Sequence, residues 1–388
     1  MLVGKVIDQE LKGDKGIWLI LLLMSLVSLL AVYSSTGTLA FLEKGGNTSA
    51  YLYRHAGILV FGLFLTYVCH LLHYLKYARV SPYLILIAIP LLLYTILWGA
   101  EINNARRWIE VPYLGLTFQS SDFAKLALII YMARTLSLKQ DLIKDLKKGF
   151  IPMILPVVII CGLIAPANLS TAIILFFTCA IMMFVGRVSM KHLGMLALCG
   201  GFMMMLIIGI GKYSPENVRL ATWSSRISAF MGETSEDYQI TRAKIAIANG
   251  QWTGVGPGNS FQRNYLPYPY ADFIYAIICE EYGLLGGVGV LFLYLWLFYR
   301  CVRLVTLSPR AFGALLAMGL SLLLMVQAFT NIAVSVNLLP VTGVTLPLIS
   351  MGGTSILFIS ITLGIILSVS RHIKKEDIEE ETLANESA

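Results

Sequence analysis

Apolar residues gather in long runs along the chain, and short polar segments separate the runs. A run of about 17 to 25 apolar residues is long enough to cross the hydrocarbon core of a bilayer as a helix. The pattern predicts an all-α polytopic membrane protein with about ten transmembrane helices. The predicted spans are residues 17–36, 56–74, 82–99, 122–137, 150–166, 169–186, 190–211, 272–299, 311–335 and 353–371.

The composition excludes the class of soluble globular proteins. Hydrophobic residues make up 57% of the 388 positions, charged residues make up 13%, and the mean hydropathy is +0.76. A soluble domain has about 25% charged residues. The net charge of +7 does not indicate a nucleic-acid partner, because the basic residues lie in short clusters between apolar runs, where membrane topology places them.

The basic clusters also predict the orientation in the membrane. If the N-terminus is cytoplasmic, 18 Lys and Arg residues fall in inner segments and 10 in outer segments, six of them in one long loop. The positive-inside rule is counted over short loops, so the comparison becomes 18 to 4. An even number of spans then leaves both termini in the cytoplasm. The first run follows Lys5, Lys12 and Lys15 and is predicted to be an uncleaved helix.

Three segments differ from the spans. The single transmembrane domain is predicted over residues 1–371, and residues 212–271 within it form a large extracytoplasmic loop, a place where function often resides. Residues 337–353 are apolar but rich in Pro and Gly, which predicts a re-entrant or capping segment buried in protein. Residues 372–388 are acidic and polar and predict a disordered cytoplasmic tail.

Two basic motifs are candidates for binding an anion. In NNARRWIEV, Arg106 and Arg107 stand beside Trp108. Paired guanidinium groups bind phosphate oxygens in a fork geometry, and an ordinary interfacial anchor is the alternative. In QSSDFAKLALII, Lys125 lies about one turn into a span. A lysine there pairs with a carboxylate, meets an anionic substrate, or extends to the membrane surface.

The stretch YPYADFIYAIICEEYG places three carboxylates at or inside an apolar run. Asp272 lies at the junction of the long loop and a span, where it can reach water and a headgroup. Glu280 and Glu281 lie about 12–13 Å deeper at 1.5 Å per residue. Carboxylates at membrane depth are functional candidates. The depth difference separates their roles, and the glutamates are predicted to be structural, paired with Lys125 or with a polar helix face.

A glycine run precedes this stretch and includes Gly254, Gly256 and Gly258. Its GxGxG spacing does not predict a nucleotide site, because no hydrophobic strand precedes it and no βαβ unit surrounds it. Close backbone packing, or a nest of N–H groups for an anion, explains the run better. The five histidines are scattered, so the sequence contains no recognisable metal-ligand cluster.

These residues together indicate an outward-facing site with one interfacial carboxylate, several basic side chains from separate loops, and aromatic belts. A phosphate or pyrophosphate headgroup on a lipid is the substrate class that suits such a site. The residues leave open whether the protein transports that lipid across the membrane or catalyses a reaction on it.

Three longer motifs lie along the chain: NNARRWI with QSSDFAK, the stretch from DYQITRAK to EEYG, and NLLPVTGVTLPLISMGGTS. They resemble motifs of the shape, elongation, division and sporulation (SEDS) family, which includes FtsW, RodA and SpoVE. The similar family motifs are NGARRWI with QPSEFAK, a glycine run followed by HTDFIFA and EExG, and GLLPVTGxxLPFISxGGSS. The form YPYADFIYA is closer to the division member of the family than to the elongation member.

The resemblance implies a peptidoglycan glycosyltransferase of the inner membrane. Such enzymes polymerise lipid II, the undecaprenyl-pyrophosphate-linked disaccharide peptide, at the outer face of that membrane. For this chain the resemblance implies a role in cell division at the septal site. It implies a class B penicillin-binding protein as the transpeptidase partner, beside other division proteins. It implies no organic cofactor and leaves open a divalent cation, Mg²⁺ or Mn²⁺.

The resemblance also implies residue roles. The family's essential aspartate falls on Asp272, which we expect to be the general base of an inverting glycosyl transfer. Substrate binding is expected of residues in the outer loops and in span four, namely Arg106, Arg107, Trp108, Lys125, Arg219, Arg226 and Gln262. Structural support is expected of Glu280, Glu281, Gly254, Gly256, Gly258, Pro340, Ser350, Gly352 and Gly353.

Departures from the family pattern limit these expectations. Tyr270 and Ala271 stand in place of a usual His-Thr pair, so no histidine adjoins Asp272. Asn168 stands where the family often has an acid, and no acidic role is carried over to it. Three alternatives stay open: a transporter that flips lipid II, which would also need an inner-facing site, a scaffold for division partners, and an elongation-type polymerase.

Overall fold

The computed structural model describes residues 12–44, 47–102, 105–111, 116–213 and 238–386, together with Arg226, Ser228 and Phe230. Within these residues the chain is mainly helical and has one small sheet. The helices are α1 (Lys15–Ser35), α2 (Gly37–Lys44), α3 (Thr48–Leu71), α4 (Tyr74–Trp98), α5 (Ser120–Leu138), α6 (Ile151–Ile164), α7 (Leu169–Val185), α8 (Met190–Tyr213), α9 (Tyr238–Gly250), α10 (Ile274–Leu307), α11 (Ala311–Ser335) and α12 (Thr354–Glu386). The strands are β1 (Ala100–Ile102), β2 (Ala105–Val111) and β3 (Leu116–Gln119).

A helix lies at each of the ten predicted spans. Seven helical segments of the described chain are long and apolar enough to cross a membrane: Lys15–Ser35, Thr48–Leu71, Tyr74–Trp98, Leu146–Ile164, Ile274–Leu307, Ala311–Ser335 and Thr354–Ile373. By contrast, α5 carries Asp122, Lys125 and Arg134, and α7 has only 17 residues. The chain is therefore a polytopic helical membrane protein, and a total of ten spans stays a prediction.

Several helix ends differ from the predicted spans; α3 begins at Thr48 and α4 at Tyr74, each eight residues before its prediction. Two further differences change the interpretation. α10 begins at Ile274 rather than at residue 272, so Asp272 precedes the helix and belongs to the loop. α12 continues to Glu386, where the sequence predicts a disordered tail over residues 372–388. The tail is rich in Glu, Lys, Leu and Ala, which have high helix propensity, and the extension of an existing helix needs no new nucleus.

Residues 100–119 contain an antiparallel sheet in the order β1-β2-β3, which the all-α prediction missed. Its register pairs Trp108 of β2 with Ala100 of β1. The segment ARRWIEV was predicted to lie in an outer loop, yet the aromatic and β-branched residues of this segment favour a strand. The register shifts between Ala100 and Glu101, which leaves Arg107 as an extra residue of β2 and makes a bulge beside Arg106.

The centre of the bundle is α11, which contacts α5, α7, α10 and α12. In α11, 72% of the most apolar window is buried, against 22% in α3. Buried polar side chains of α11, among them Gln327 and Asn331, therefore face protein and not lipid. This helix contacts the loop that carries Asp272, because the side chain of Asn331 donates to the carbonyl of Asp272.

A break interrupts α10 at Gly283, whose φ of +66° lies in the left-handed region. The loop that follows α9 inserts at this break through backbone hydrogen bonds. The N–H of Leu284 donates to the carbonyl of Gln251 (2.8 Å), and the N–H of Gly256 donates to the carbonyl of Glu281 (3.0 Å). The glycine run thus packs closely against α10, and a carbonyl, rather than an external anion, occupies the N–H of Gly256.

Gly283→Ala is expected to destabilise the protein by about 2–3 kcal/mol, because it combines left-handed strain of about 1–2 kcal/mol with crowding. A Cβ at this position would lie 2.4 Å from backbone atoms of Trp252. Gly289→Ala is the matched control in the same helix, since no atom lies within 4 Å of its added Cβ. Thermal unfolding in detergent measures both variants. Equal melting temperatures would show that the break does not hold the loop.

Candidate active site

A cavity of about 380 Å³ lies between the small sheet, the first turns of α5 and α7, the loop before α10 and residues 343–353. Its charged lining residues come from three separate parts of the described chain: Arg107, Asp122, Lys125 and Asp272. Aromatic side chains join them, namely Trp108, Tyr268 and Tyr270. The fold therefore brings together residues that the sequence holds up to 165 positions apart (272 − 107).

Asp272 is half-buried in this cavity, on the loop that precedes α10. A Cβ added to Gly343 would lie 3.6 Å from its Oδ2 atom, so the carboxylate faces residues 343–353. Burial raises the pKa of Asp272, while the charges of Arg107 and Arg226 lower it, and the net pKa lies above the usual value. A carboxylate with a raised pKa is a better proton acceptor than an ordinary aspartate.

The two adjacent arginines reach different places. Arg107 lines the cavity beside Trp108, and its Nε donates to the carbonyl of Ala167 at 2.8 Å. Arg106 is exposed outside this cavity, and its Nη2 lies 3.6 Å from Oε2 of Glu101. The two guanidinium groups make separate contacts, with Ala167 for Arg107 and with Glu101 for Arg106, so they do not form the fork that the motif suggested.

Lys125 is buried in the wall of the cavity, and its Nζ lies 2.8 Å from Oδ1 of Asp122. Of the two partners predicted for Glu280 and Glu281, Lys125 is wrong, because Lys125 pairs with Asp122 three residues before it on the helix. The Oδ2 atom of Asp122 is buried without a hydrogen-bond partner among the described residues. This pair presents a balanced ammonium and carboxylate to the cavity.

Glu280 and Glu281 are buried away from the cavity and accept hydrogen bonds from neutral groups. Glu280 accepts from the N–H of Gln262 (3.1 Å) and from the hydroxyl of Ser260. Glu281 accepts from the hydroxyl of Ser34 and from the N–H of Ser260 (3.4 Å). The two glutamates of α10 therefore tie residues 260–262 and α1 to that helix. Gln262, which was expected to bind substrate, belongs to this junction and not to the cavity lining.

The other loop residues that were expected to bind substrate or to support the structure have different surroundings. Arg226 donates from Nη1 to the carbonyl of Val341 at 3.1 Å, and its charge acts on Asp272. Arg219 lies outside the described residues. Gly254 has a φ of +80°, and an added Cβ would meet the carbonyl oxygen of Glu281 at 2.1 Å. Gly258 has open space around an added Cβ, and its φ of +77° is the reason for glycine there.

Residues 337–353 contain no helix and form one wall of the cavity. Gly352 and Gly353 line the cavity directly. Ser350 is buried, and its hydroxyl donates to the carbonyl of Ala271 at 2.7 Å. Pro340 is half-buried outside the lining. The segment therefore contacts the loop that carries the candidate base.

Several polar residues of the cavity were not predicted to belong to the site. Gln327 lines the cavity from the buried α11, and an amide inside an apolar span is a signal that could have indicated it. Asn168 and Thr171 line the cavity at the start of α7, where Oδ1 of Asn168 accepts the N–H of Thr171 at 3.2 Å. Asn before an apolar run is an N-cap signal, and it explains a structural role for Asn168.

The described residues contain no group of three or more His, Cys, Asp or Glu side chains that could hold a metal ion. The carboxylates that line the cavity are Asp122 and Asp272. Mg²⁺ is commonly bound by one or two carboxylates together with substrate phosphates. A divalent cation at this cavity would therefore need phosphate oxygens of a substrate to complete its ligands.

The arrangement is suited to a transfer reaction on an anionic lipid. A carboxylate with a raised pKa can take up a proton from an attacking hydroxyl group. The guanidinium of Arg107 and the ammonium of Lys125 can stabilise negative charge that develops on a leaving phosphate.

Comparison with known proteins gives a family and close relatives. The model of the FtsW, RodA and SpoVE family, described as cell cycle protein, matches residues 14–375. A probable peptidoglycan glycosyltransferase FtsW of Nitrosococcus halophilus is 32% identical over 333 residues, which cover 84% of this chain and 84% of that protein. Stage V sporulation protein E of Bacillus subtilis is 31% identical over 361 residues, which cover 91% and 96%.

Solved structures share the fold. A chain from the structure of a peptidoglycan synthase complex that coordinates polymerization and crosslinking has a TM-score of 0.72 at 24% identity, with 92% of this chain and 98% of that chain covered. The rod shape determining protein RodA of Thermus thermophilus has a TM-score of 0.66 at 23% identity, with 92% and 97% covered. These likenesses show that the polytopic arrangement is common to all three chains.

Proposed function

The chain belongs to the FtsW, RodA and SpoVE family of cell cycle proteins, and we propose that it is a peptidoglycan glycosyltransferase that polymerises lipid II during cell division. Relatives that match most of the chain are named probable peptidoglycan glycosyltransferase FtsW. The observation that carries the proposal in this chain is the half-buried Asp272 in one cavity with Arg107 and Lys125.

In the proposed reaction Asp272 is the general base. It takes the proton of the acceptor sugar's 4-hydroxyl group as that oxygen forms a bond to the anomeric carbon of the donor. The bond from this carbon to the pyrophosphate oxygen breaks at the same time, so the configuration inverts and undecaprenyl pyrophosphate leaves. A pyrophosphate is a good leaving group, so the reaction needs one positioned base and charge stabilisation rather than a second acid.

Charge stabilisation is assigned to the cations that the structure places near Asp272. Arg107 lines the cavity and Arg226 acts on Asp272 through its charge. Lys125 adds an ammonium group whose charge is shared with Asp122. Arg106 lies outside the cavity, so we assign it to the membrane surface or the sheet. A divalent cation, Mg²⁺ or Mn²⁺, would be held by Asp122, Asp272 and the substrate pyrophosphate and would supply further charge.

A transporter that flips lipid II is the second function to test, because the same headgroup contacts would serve it. The experiment supplies labelled lipid II to the purified full-length protein in liposomes, with and without a class B transpeptidase, and separates the products by size. Glycan strands that lysozyme degrades are expected. Movement of lipid II between leaflets without any glycan would support the transporter and contradict the polymerase.

The proposed partners follow from the same assignment. Lipid II is the substrate, and a class B penicillin-binding protein and other division proteins are the macromolecular partners. The similar solved chain comes from a complex of polymerization and crosslinking, which supports a transpeptidase at the side of this chain. We place the protein in the bacterial inner membrane at the septum, with both termini in the cytoplasm and the cavity outside, as the basic clusters predict.

A further inference from the structure

We propose that Asn331 is a positioning residue for Asp272. The side-chain amide of Asn331 bonds to the backbone of Asp272 and to that of Val344, which belongs to the cavity wall at residues 337–353 (the wall segment). These two bonds fix the position of the Asp272 carboxylate relative to that wall. The inference rests on the proposed function, in which Asp272 is the general base.

The backbone in front of α10 is held at three consecutive carbonyl groups. The donors belong to α11 and to residues 337–353, and not to the loop itself. They are the N–H of Met351 to Tyr270 (2.9 Å), the hydroxyl of Ser350 to Ala271 (2.7 Å) and Nδ2 of Asn331 to Asp272 (2.8 Å). The third of these bonds acts on the residue that carries the chemistry.

The amide of Asn331 makes two hydrogen bonds from one nitrogen. Its Nδ2 donates to the carbonyl of Asp272 and also to the carbonyl of Val344 at 2.7 Å. An amide nitrogen carries two hydrogens, so each carbonyl receives one. Asn331 is only 1% exposed, so water cannot easily replace its amide. Loss of the donor would remove one hydrogen bond from the half-buried Asp272 and one from the buried Val344.

Neighbouring polar residues of α11 do less. One turn earlier, Gln327 donates to the carbonyl of Thr345 at 3.1 Å, which ties it to residues 337–353. One turn later, the hydroxyl of Ser335 donates to the carbonyl of Asn331 at 3.0 Å, within the helix itself. Asn331 thus joins the loop of Asp272, the wall segment and the most enclosed part of the bundle in one contact.

This contact matters because a general base must stand within hydrogen-bond reach of its proton. A displacement of about 1 Å from a mutation away from the chemistry can lower the rate about 10²-fold. The carboxylate already lies close to the wall, with Oδ2 3.6 Å from a Cβ added to Gly343. A shift of residues 343–345 relative to Asp272 would therefore change the room that the attacking sugar has.

The test is Asn331→Asp, which keeps the size of the side chain and replaces the donor nitrogen by an oxygen. In the full-length protein with a class B transpeptidase, kcat for lipid II polymerisation is expected to fall about 10²-fold while KM stays close to the wild-type value. A rise of KM at unchanged kcat would overturn the proposal. Ser335→Ala is the matched control, and both parameters are expected to stay unchanged.

A second measurement does not depend on activity. Amide hydrogen exchange of residues 268–273 and 341–351 is expected to become about tenfold faster in Asn331→Asp, because each of the two segments loses one hydrogen bond. In Ser335→Ala the exchange of both segments is expected to stay unchanged. If Asn331→Asp does not fold, Asn331→Ala removes the same two bonds without adding a carboxylate and carries the same expectations.

These readouts separate the two proposals. A wild-type protein that forms no glycan contradicts the proposed function, and unchanged exchange in the Asn331 variants still overturns the positioning role. A wild-type protein that forms glycan, beside a folded Asn331→Asp or Asn331→Ala variant with a normal kcat, overturns the positioning role alone.

Discussion

Asp272→Asn is expected to lower the rate of lipid II polymerisation by about 10²–10⁴-fold, the contribution of a positioned general base. The amide keeps the shape of the carboxylate but cannot take up the proton of the attacking hydroxyl group. Lipid II binding is expected to change little, because Arg107 and Lys125 still line the cavity. The measurement is glycan formation from labelled lipid II by the purified full-length protein together with its transpeptidase.

The control for this prediction is Glu110→Gln, which removes a carboxylate from an exposed position of β2 outside the cavity. Its rate is expected to equal that of the wild type. A folded Asp272→Asn protein that still polymerises lipid II at a near-normal rate would show that another group takes the proton. Of the carboxylates that line the cavity, Asp122 would then be the remaining candidate.

The sequence predicts the helices of this fold well because the bilayer allows few alternatives. A long apolar run must satisfy its backbone hydrogen bonds internally, and a helix does so within one segment. The sheet at residues 100–119 was missed because its strands are short and its register depends on pairing between segments. The break at Gly283 was missed for a similar reason, since it is stabilised by a loop about thirty residues earlier.

The composition of the candidate site was easier to predict than its geometry. Asp272 and Lys125 are conspicuous because charges near membrane depth are costly. The partner of Lys125 depends on which carboxylate its helix face meets, and Asp122, three residues before it, is nearer than Glu280. The direction of each arginine side chain in ARRWIEV depends on how β2 pairs with its neighbouring strands, and no strand was predicted there.

The residues of α11 that support the site were not predicted from the sequence. Gln327 and Asn331 are amides four residues apart in a buried span, and that spacing places them on one helix face. Their role in supporting the site follows from contacts that only the structure shows, with residues 344–345 and with the loop of Asp272. Contacts between segments so far apart in the sequence are set by packing, and local propensity does not determine them.

Arg107→Gln is expected to change polymerisation in two ways. Removal of a cation that stabilises the leaving pyrophosphate should lower the maximal rate by about 10²–10³-fold. The charge of Arg107 also lowers the pKa of Asp272, so its removal should raise that pKa further. Asp272 must be ionised to act as a base, and a higher pKa leaves less carboxylate at a given acidic pH. The acidic limb of the pH–rate profile should therefore move to higher pH.

The adjacent residue provides the control, because Arg106→Gln removes the same charge from a side chain that is exposed outside the cavity and lies beside Glu101. That variant is expected to keep both the maximal rate and the position of the acidic limb. If Arg107→Gln lowered the rate without moving the limb, Arg107 would stabilise the leaving group but would not act on the base. If both variants behaved alike, the position of Arg107 in the cavity would have no functional consequence, and Arg107 would not be the cation that stabilises the leaving pyrophosphate.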